Sequence, residues 1–338
     1  MTSVARASKG PAGRLDGTRR RTLATVLPRP TPRTVRRLTL ASVVANSVIV
    51  VTGGAVRLTA SGLGCPEWPR CTSSTYTPTA EYAAHGLIEF GNRLLTFVLT
   101  AVVVACLVAV WRQRPVRPGM RRLAALVFLG IPAQALLGGI TVRTGLNPWS
   151  VMAHFLLSMV LIALAVVLHQ RAREGDLAPR PLVVPALRRL GAGLLVLVAA
   201  TLVAGTVVTG SGPHSGDPAA GRTGLDPETV SRTHADLVLL LVGLTVAGYV
   251  ALKVTHAPRR SIHALRVLLA VELAQGLLGF TQYVTDLPVA LVGLHLAGAC
   301  LIQITAVRAV LALRDRGPLD VARTEGAATV RTAATAAA

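Results

Sequence analysis

Eight continuously apolar stretches, at 38–56, 86–111, 122–142, 149–168, 190–209, 233–252, 264–284 and 288–313, are separated along this chain by short polar segments rich in arginine. Each is about 20 residues or longer, the length a helix needs to cross roughly 30 Å of hydrocarbon. The apolar positions run together instead of alternating over about ten residues, which excludes the strands of a transmembrane barrel. Lipid offers no water to satisfy backbone N–H and C=O groups, so a spanning segment of this kind closes its hydrogen bonds internally, as a helix. The pattern predicts an all-α polytopic membrane protein with eight transmembrane helices, and a composition that is 52% hydrophobic agrees.

The charges give a direction to these spans. Of the 35 lysines and arginines, all but Arg57, Arg70, Arg93, Arg143, Arg222 and Arg232 fall in segments that lie on one side if the helices alternate. Short cytoplasmic loops retain Lys and Arg, so that side is read as the cytoplasm, with both termini on it. The net charge of +20 is thus a topology signal first. A nucleic-acid footprint would cluster on a folded basic domain, which the chain lacks, and the expected basic-surface partner is membrane lipid. Residues 1–35 form a basic tail with Asp16 its single acid, and residues 317–338 are mostly Ala and Thr; both are expected to be disordered and cytoplasmic. The N-terminus also resembles an organellar transit peptide. Because the Ala, Arg and Gly bias runs through the whole chain, the favoured location is instead a bacterial plasma membrane.

The eight stretches divide into two similar halves, expected as four-helix bundles at 36–175 and 186–316. Gln134-Ala-Leu-Leu-Gly-Gly139 in the third stretch is echoed by Gln275-Gly-Leu-Leu-Gly-Phe280 in the seventh, and the same offset of 141 carries His154 onto His295. An offset of 142 carries Asn92 onto His234, and Gly54-Ala-Val56 recurs as Gly205-Thr-Val207. Four spans per repeat is an even number, so both halves enter the membrane in the same direction, as parallel repeats about an axis along the membrane normal.

Polar side chains inside the spans are the functional candidates. His154, His234 and His295 lie near the outer ends of the fourth, sixth and eighth stretches, and Glu89, Asn92 and Arg93 near the outer end of the second. Two histidines on facing helices of a bundle suit the axial positions of a heme iron in a water-excluding core. His234 and His295 make that pair in the second half. The first half sets His154 opposite Asn92, and an amide is a poor iron ligand. Arg57, Arg143 and Arg232 are candidates to pair with heme propionates at the outer surface; the alternative for each is snorkelling to lipid headgroups. Glu89 and Arg93, spaced i, i+4, either form a structural ion pair or place a carboxylate beside a reacting group.

Taken together, Gly53-Gly-Ala-Val-Arg-Leu-Thr-Ala-Ser-Gly-Leu-Gly-Cys-Pro-Glu-Trp-Pro-Arg-Cys71, Glu89-Phe-Gly-Asn-Arg93, His154, Gly210-Ser-Gly-Pro-His-Ser-Gly-Asp217, His234 and His295 resemble the heme A synthase family over about residues 36–313. The resemblance implies an eight-helix enzyme that oxidises a methyl substituent of heme O to a formyl group, making heme A for terminal cytochrome oxidases. It also implies a resident heme b in the C-terminal half, here on His234 and His295, and a substrate heme in the N-terminal half, on His154 with Asn92 and Arg93 nearby. Glu89 becomes the expected catalytic acid, to relay protons or to stabilise positive charge developing at the methyl carbon. Cys65 and Cys71, in the first external loop where an oxidising compartment permits it, become an expected disulfide. One departure stands out: the family's second-helix motif reads Glu-x-x-His-Arg, and this chain has Asn92 at the histidine position. His154 is then the single protein ligand expected for the substrate heme.

Two other function classes share part of this signature. A bis-His membrane cytochrome for quinol electron transfer needs the same His234–His295 pair, and a heme carrier needs a heme site without chemistry. The chain has no Walker motif and no flavin or nicotinamide fold, so electrons are expected from an external donor. A complex with the heme O synthase that makes the substrate is a further expectation of the resemblance. Cys106 and Cys300 read as small core residues, His214 as a loop residue near a cofactor edge, and His169, His256 and His263 as solvated cytoplasmic groups.

Overall fold

A computed structural model describes residues 29–319 of the chain, and within it eight long helices account for nearly all of the regular structure. They are α1 (Pro32–Leu58), α2 (Ala83–Arg112), α3 (Pro118–Arg143), α4 (Pro148–Arg171), α5 (Pro185–Ser211), α6 (Pro227–Val254), α7 (Arg259–Val284) and α8 (Val289–Leu311). All eight are long and apolar enough to cross a membrane, and the protein is a multi-pass membrane protein. The tail segments 1–28 and 320–338 lie outside the described residues; the remainder of the first tail is already helical from Pro32.

The first six helices outrun their apolar stretches at both ends, and α7 at its start, for local reasons. Five of them carry proline in the first turn, where its missing N–H costs nothing and its fixed φ suits the helix. Thr31, Asn147 and Asp226 cap α1, α4 and α6 by accepting the N–H of Thr34, Trp149 and Thr229. Arg57, Arg112, Arg143, Arg171, Lys253 and Arg308 sit in last turns, where the helix dipole favours a cation.

Within each half the helices pack as an up-down bundle: α1 on α2 and α4, α3 on α2 and α4, then α5 on α6 and α8, α7 on α6 and α8. The halves meet through α1 and α4 against α8, with α4 also touching α5. Leu296 of α8 enters the space above Gly54 of α1, where any Cβ would stand 1.9 Å from Leu296 Cδ2, so this approach requires glycine. Val103, Ile131 and Ile162 belong to the core of the first half, which Cys300 of α8 joins across the junction, and Leu194, Leu252, Leu268 and Ala306 belong to that of the second. Phe97, Val196, Leu239 and Leu277 face outward and are exposed. A belt of large apolar side chains on the outside is what lipid solvation stabilises and water would not.

The face carrying the chain ends is locked by ions. The two-residue strands β1 (Arg180–Pro181) and β2 (Arg314–Asp315) pair antiparallel, joining the linker between the halves to the segment after α8. Asp176 accepts from Arg117 Nε at 2.7 Å and Arg171 Nη2 at 2.6 Å. Glu174 receives Arg171, Arg314 and Arg316 at 3.3–3.7 Å. Partial burial pushes the Asp176 carboxyl up, but the hydrogen bonds and charge of Arg117, with Arg171 and Arg316 behind them, outweigh it and hold the group below the ordinary carboxylate range.

Candidate functional site

The opposite face carries every intramembrane histidine singled out in the sequence. His154, His234 and His295 lie within roughly three turns of the starts of α4, α6 and α8, and Asn92 occupies the comparable depth of α2. What the four share is the glycine opposite. A Cβ at Gly138 of α3 would stand 3.2 Å from His154 Cε1, at Gly205 of α5 3.1 Å from His234 Cε1, and at Gly279 of α7 3.1 Å from His295 Cε1. At Gly53 of α1 it would come within 3.8 Å of Asn92 Nδ2. Each odd helix thus sets a glycine against the polar residue of the following even helix, and Gly138 and Gly279 are separated by the same 141 residues as His154 and His295.

Hydrogen bonds orient these side chains. Nδ1 of His234 lies 3.1 Å from the Thr201 carbonyl, one turn before the Gly205 notch. With the proton on Nδ1 this bond fixes the ring and leaves Nε2 as the free lone pair. In the other two sites the corresponding position is a glutamine: Gln134 Nε2 donates to the His154 carbonyl at 3.2 Å, and Gln275 Nε2 to the His295 carbonyl at 2.6 Å. Nδ1 of His154 and of His295 is buried and finds no protein partner. His234 of α6 and His295 of α8 are set against α5 and α7, and each of their helices packs on both. Among the described residues no three His, Cys, Asp or Glu side chains gather as a metal cage. A heme iron needs only axial ligands from the protein, because the porphyrin fills its other positions. Half-buried imidazoles seated on glycines where a Cβ would stand only 3.1–3.2 Å from the ring, one with its Nδ1 tied back and two with Nδ1 unpartnered, fit that requirement. In the first half Asn92 Oδ1 accepts from Thr52 Oγ1 at 2.8 Å, and that hydrogen bond is the polar contact that holds it.

Glu89 and Arg93 form the predicted i, i+4 pair, at 2.6 Å, and do more with it. Glu89 is buried; its Oε1 accepts from Arg93 Nε and Nη2, and its Oε2 accepts the Cys65 N–H at 2.6 Å. Arg93 donates onward to the carbonyls of Cys65, Glu67 and Arg70 at 2.8–3.0 Å. Cys65 and Cys71 are joined by a disulfide and fully buried. The loop between them lies across the outer end of the first bundle, its Trp68 ring set directly on Gly139, one residue after the His154 notch. Glu89 therefore couples helix α2 to the disulfide-closed loop, which packs on α3 next to the His154 notch.

The three outer arginines separate. Arg57 turns inward and donates to the carbonyls of His214 at 2.5 Å and Thr209 at 2.7 Å, crossing from the first half to the second. Gly62 N–H adds a bond to Gly216 O at 2.9 Å beside it. Arg232 is exposed and pairs with Glu228 on its own helix; Arg143 is exposed at the end of α3. Among the described residues no hydrogen bond or ion pair joins the three. His214 Nε2 lies 3.0 Å from Leu287 O, so this loop histidine ties the α5–α6 loop to the α7–α8 turn. His169, expected to be solvated, is half-buried and shares a 3.0 Å hydrogen bond with Thr39 of α1, because α1 packs on α4. His256 and His263 are exposed as expected. Two features went unread in the sequence. The glycine notches were hidden among many helical glycines, although Gly138 and Gly279 repeat at the offset of His154 and His295. Glu272, an acid inside the seventh apolar stretch, is buried and accepts from Thr245 Oγ1 at 2.9 Å.

Residues 36–213, just over half the chain, match the family COX15-CtaA, described as cytochrome oxidase assembly protein. The matched region holds Glu89, Asn92, Arg93 and His154 and stops before His234 and His295. Similar curated proteins include heme A synthases of Bacillus pumilus, 34% identical over 155 residues, of Symbiobacterium thermophilum, 32% over 148, and of Lysinibacillus sphaericus, 30% over 145. These matches cover 43–44% of this chain and 47–49% of the relatives, so the chain spans about half the length of the curated relatives it matches.

Proposed function

The chain belongs to the heme A synthase family of cytochrome oxidase assembly proteins, and from that membership we propose that it oxidises a methyl substituent of heme O to a formyl group, giving heme A. The observation that carries the reading is the set of repeated notches: an imidazole seated on glycine at three of four equivalent positions, with Asn92 at the fourth. In this reading His234 and His295 hold a resident heme b, and the substrate heme sits in the first half. A heme b there supplies one-electron transfer toward the substrate site.

The chain's own residues have distinct tasks. His234 is held in one orientation by Thr201, so its Nε2 meets a cofactor without reorganisation. His154 alone offers a nitrogen to the substrate heme, and a single ligand suits a heme that must enter and leave. Asn92, bonded to Thr52, keeps the facing notch polar without competing for iron. Glu89 places a carboxylate between Arg93 and the disulfide loop, where its charge stabilises positive charge developing at the substrate methyl carbon. The disulfide-closed loop and Trp68 keep water from that site. Arg143 and Arg232 keep their heads at the outer face and are the propionate partners of this reading, whereas Arg57 serves the junction between halves.

The protein works in the bacterial plasma membrane with both termini in the cytoplasm, a placement supported by the arginine-rich face. Its partners are the heme O synthase upstream and an external electron donor. Extraction and chromatography of hemes from a host that makes heme O but not heme A, with and without this gene, tests the proposal. Appearance of heme A or its hydroxylated intermediate is expected. Bound heme b with heme O unchanged, in well-expressed protein supplied with electrons, overturns it in favour of an electron-transfer cytochrome.

A further inference from the structure

On the arginine-rich face, the acids and bases do not distribute evenly. Every described acid there is already committed: Glu174 to Arg171, Arg314 and Arg316, Asp176 to Arg117 and Arg171, and Asp315 to Arg260. Of the cations left without an acidic partner among the described residues, three gather around two adjoining cavities from helices that are not sequential. Arg36 of α1, Arg173 just beyond α4 and Arg308 of α8 all act electrostatically on His169, and none of the three has an ion-pair partner among the described residues.

Two cavities open around this cluster, and Arg173 lines both. One, of about 510 Å³, is lined by Arg33, Arg36, Arg37, Leu40, His169 and Arg173. The other, of about 690 Å³, runs between α4, α7 and α8, past Arg173, Arg308 and the carboxylates of Glu174 and Asp315, each already paired with arginine, to Val267 and Leu311. Each therefore grades from guanidinium groups at the membrane surface to apolar side chains deeper in, and Leu40 is half exposed toward the surrounding lipid. A soluble phosphate would be satisfied by the cations alone. A group that also meets the apolar wall carries a hydrocarbon chain.

We propose that the cluster of Arg36, His169, Arg173 and Arg308, with its two adjoining cavities, is a specific site for an acidic phospholipid whose head group carries phosphate, the acyl chains leaving past Leu40 and Val267. Basic pockets between helix ends at the cytoplasmic surface hold such head groups by charge-assisted hydrogen bonds to phosphate oxygens. Two cavities sharing one arginine match a head group with two phosphates better than one. The site sits at the junction of the halves, because α1, α4 and α8 are the helices through which the halves meet. A bound lipid there would brace that junction from the face opposite the Arg57 contact. This inference does not depend on the heme reading.

The test is native mass spectrometry of the full-length protein, delipidated in detergent and titrated with diphosphatidylglycerol, phosphatidylglycerol, phosphatidylcholine or inorganic pyrophosphate. Retention in the order diphosphatidylglycerol, phosphatidylglycerol, phosphatidylcholine is expected. The Arg36→Gln, Arg173→Gln, Arg308→Gln triple variant should lose roughly a hundredfold in affinity for diphosphatidylglycerol, and Arg36→Gln or Arg308→Gln alone roughly fivefold, which keeps the test open if the triple variant does not fold. A control with the same charge loss at exposed positions, Arg122→Gln, Arg188→Gln, Arg189→Gln, should change little. Equal losses in the control, equal retention of phosphatidylcholine, or displacement of lipid by pyrophosphate at equal concentration would each overturn the proposal.

Discussion

Replacing Gly279 by alanine should uncouple heme binding from folding in the second half, and Gly276 on the same helix supplies the control. A Cβ at residue 279 stands 3.1 Å from His295 Cε1, whereas around Gly276 nothing lies within 4 Å. Carbon atoms in favourable contact are about 3.5–4.0 Å apart, so the imidazole must retreat by roughly 0.4–0.9 Å. Overpacking of this kind costs about 1–3 kcal/mol, and it falls on the ring that meets the iron in the proposed reading. Heme b affinity should therefore drop roughly 5- to 150-fold for Gly279→Ala. Gly276→Ala adds a methyl group in open space and improves helix propensity, so it should bind heme normally and unfold at the same or a slightly higher temperature. The assay is extracted heme per purified protein, with the reduced-minus-oxidised spectrum and the thermal midpoint of each variant. If both variants retain heme equally, with the same low-spin spectrum, the notch is packing only and the ligand argument built on it fails.

Four other outcomes follow from the geometry. Asn92→His should fit the Gly53 notch as histidine does elsewhere and add a low-spin heme signal in the first half; an unchanged spectrum in substrate-loaded membranes would contradict the equivalence of the four sites. Glu89→Gln can still accept from the Cys65 N–H but loses its charge, so the loop should stay protected from protease while heme A formation falls at least tenfold; normal product formation removes the catalytic role. Arg57→Ala breaks two bonds from a charged donor, each worth about 1.5–3 kcal/mol, and should lower the thermal midpoint with heme content per folded protein preserved, whereas Arg57→Lys rescues only part. Asp176→Asn bears on pH: a carboxyl held below its ordinary value stabilises the fold fully above about pH 4, and loses that contribution as pH falls through its folded value. The wild type should lose stability relative to the variant on acidification below pH 4, and parallel pH profiles would refute the assignment.

Eight spans, their alternation, the arginine-rich face and the pairing of His154 with His295 and of Asn92 with His234 were legible in the chain. Each depends on a local rule: the length of an apolar run, the sign of a loop, the identity of letters at a fixed offset. The Cys65–Cys71 bond was legible only through resemblance, and the structure contains it. Tertiary structure decided what those rules cannot reach. Sequence spacing offered Glu89 an ion pair with Arg93; only packing of the disulfide loop on α2 brought Cys65 N–H to its other oxygen. Arg57 was equivalent to Arg143 and Arg232 by position, yet it turns inward, because the α5–α6 loop of the other half presents two carbonyls that nothing local predicts. His169 read as solvated because it falls at the cytoplasmic end of its span; the Thr39 hydroxyl of α1 that meets it is 130 residues away in sequence. Hydrophobic period and charge fix where a helix lies in the membrane, whereas the rotation of each helix about its axis, and so which glycine meets which histidine, is set by packing between helices distant in the chain.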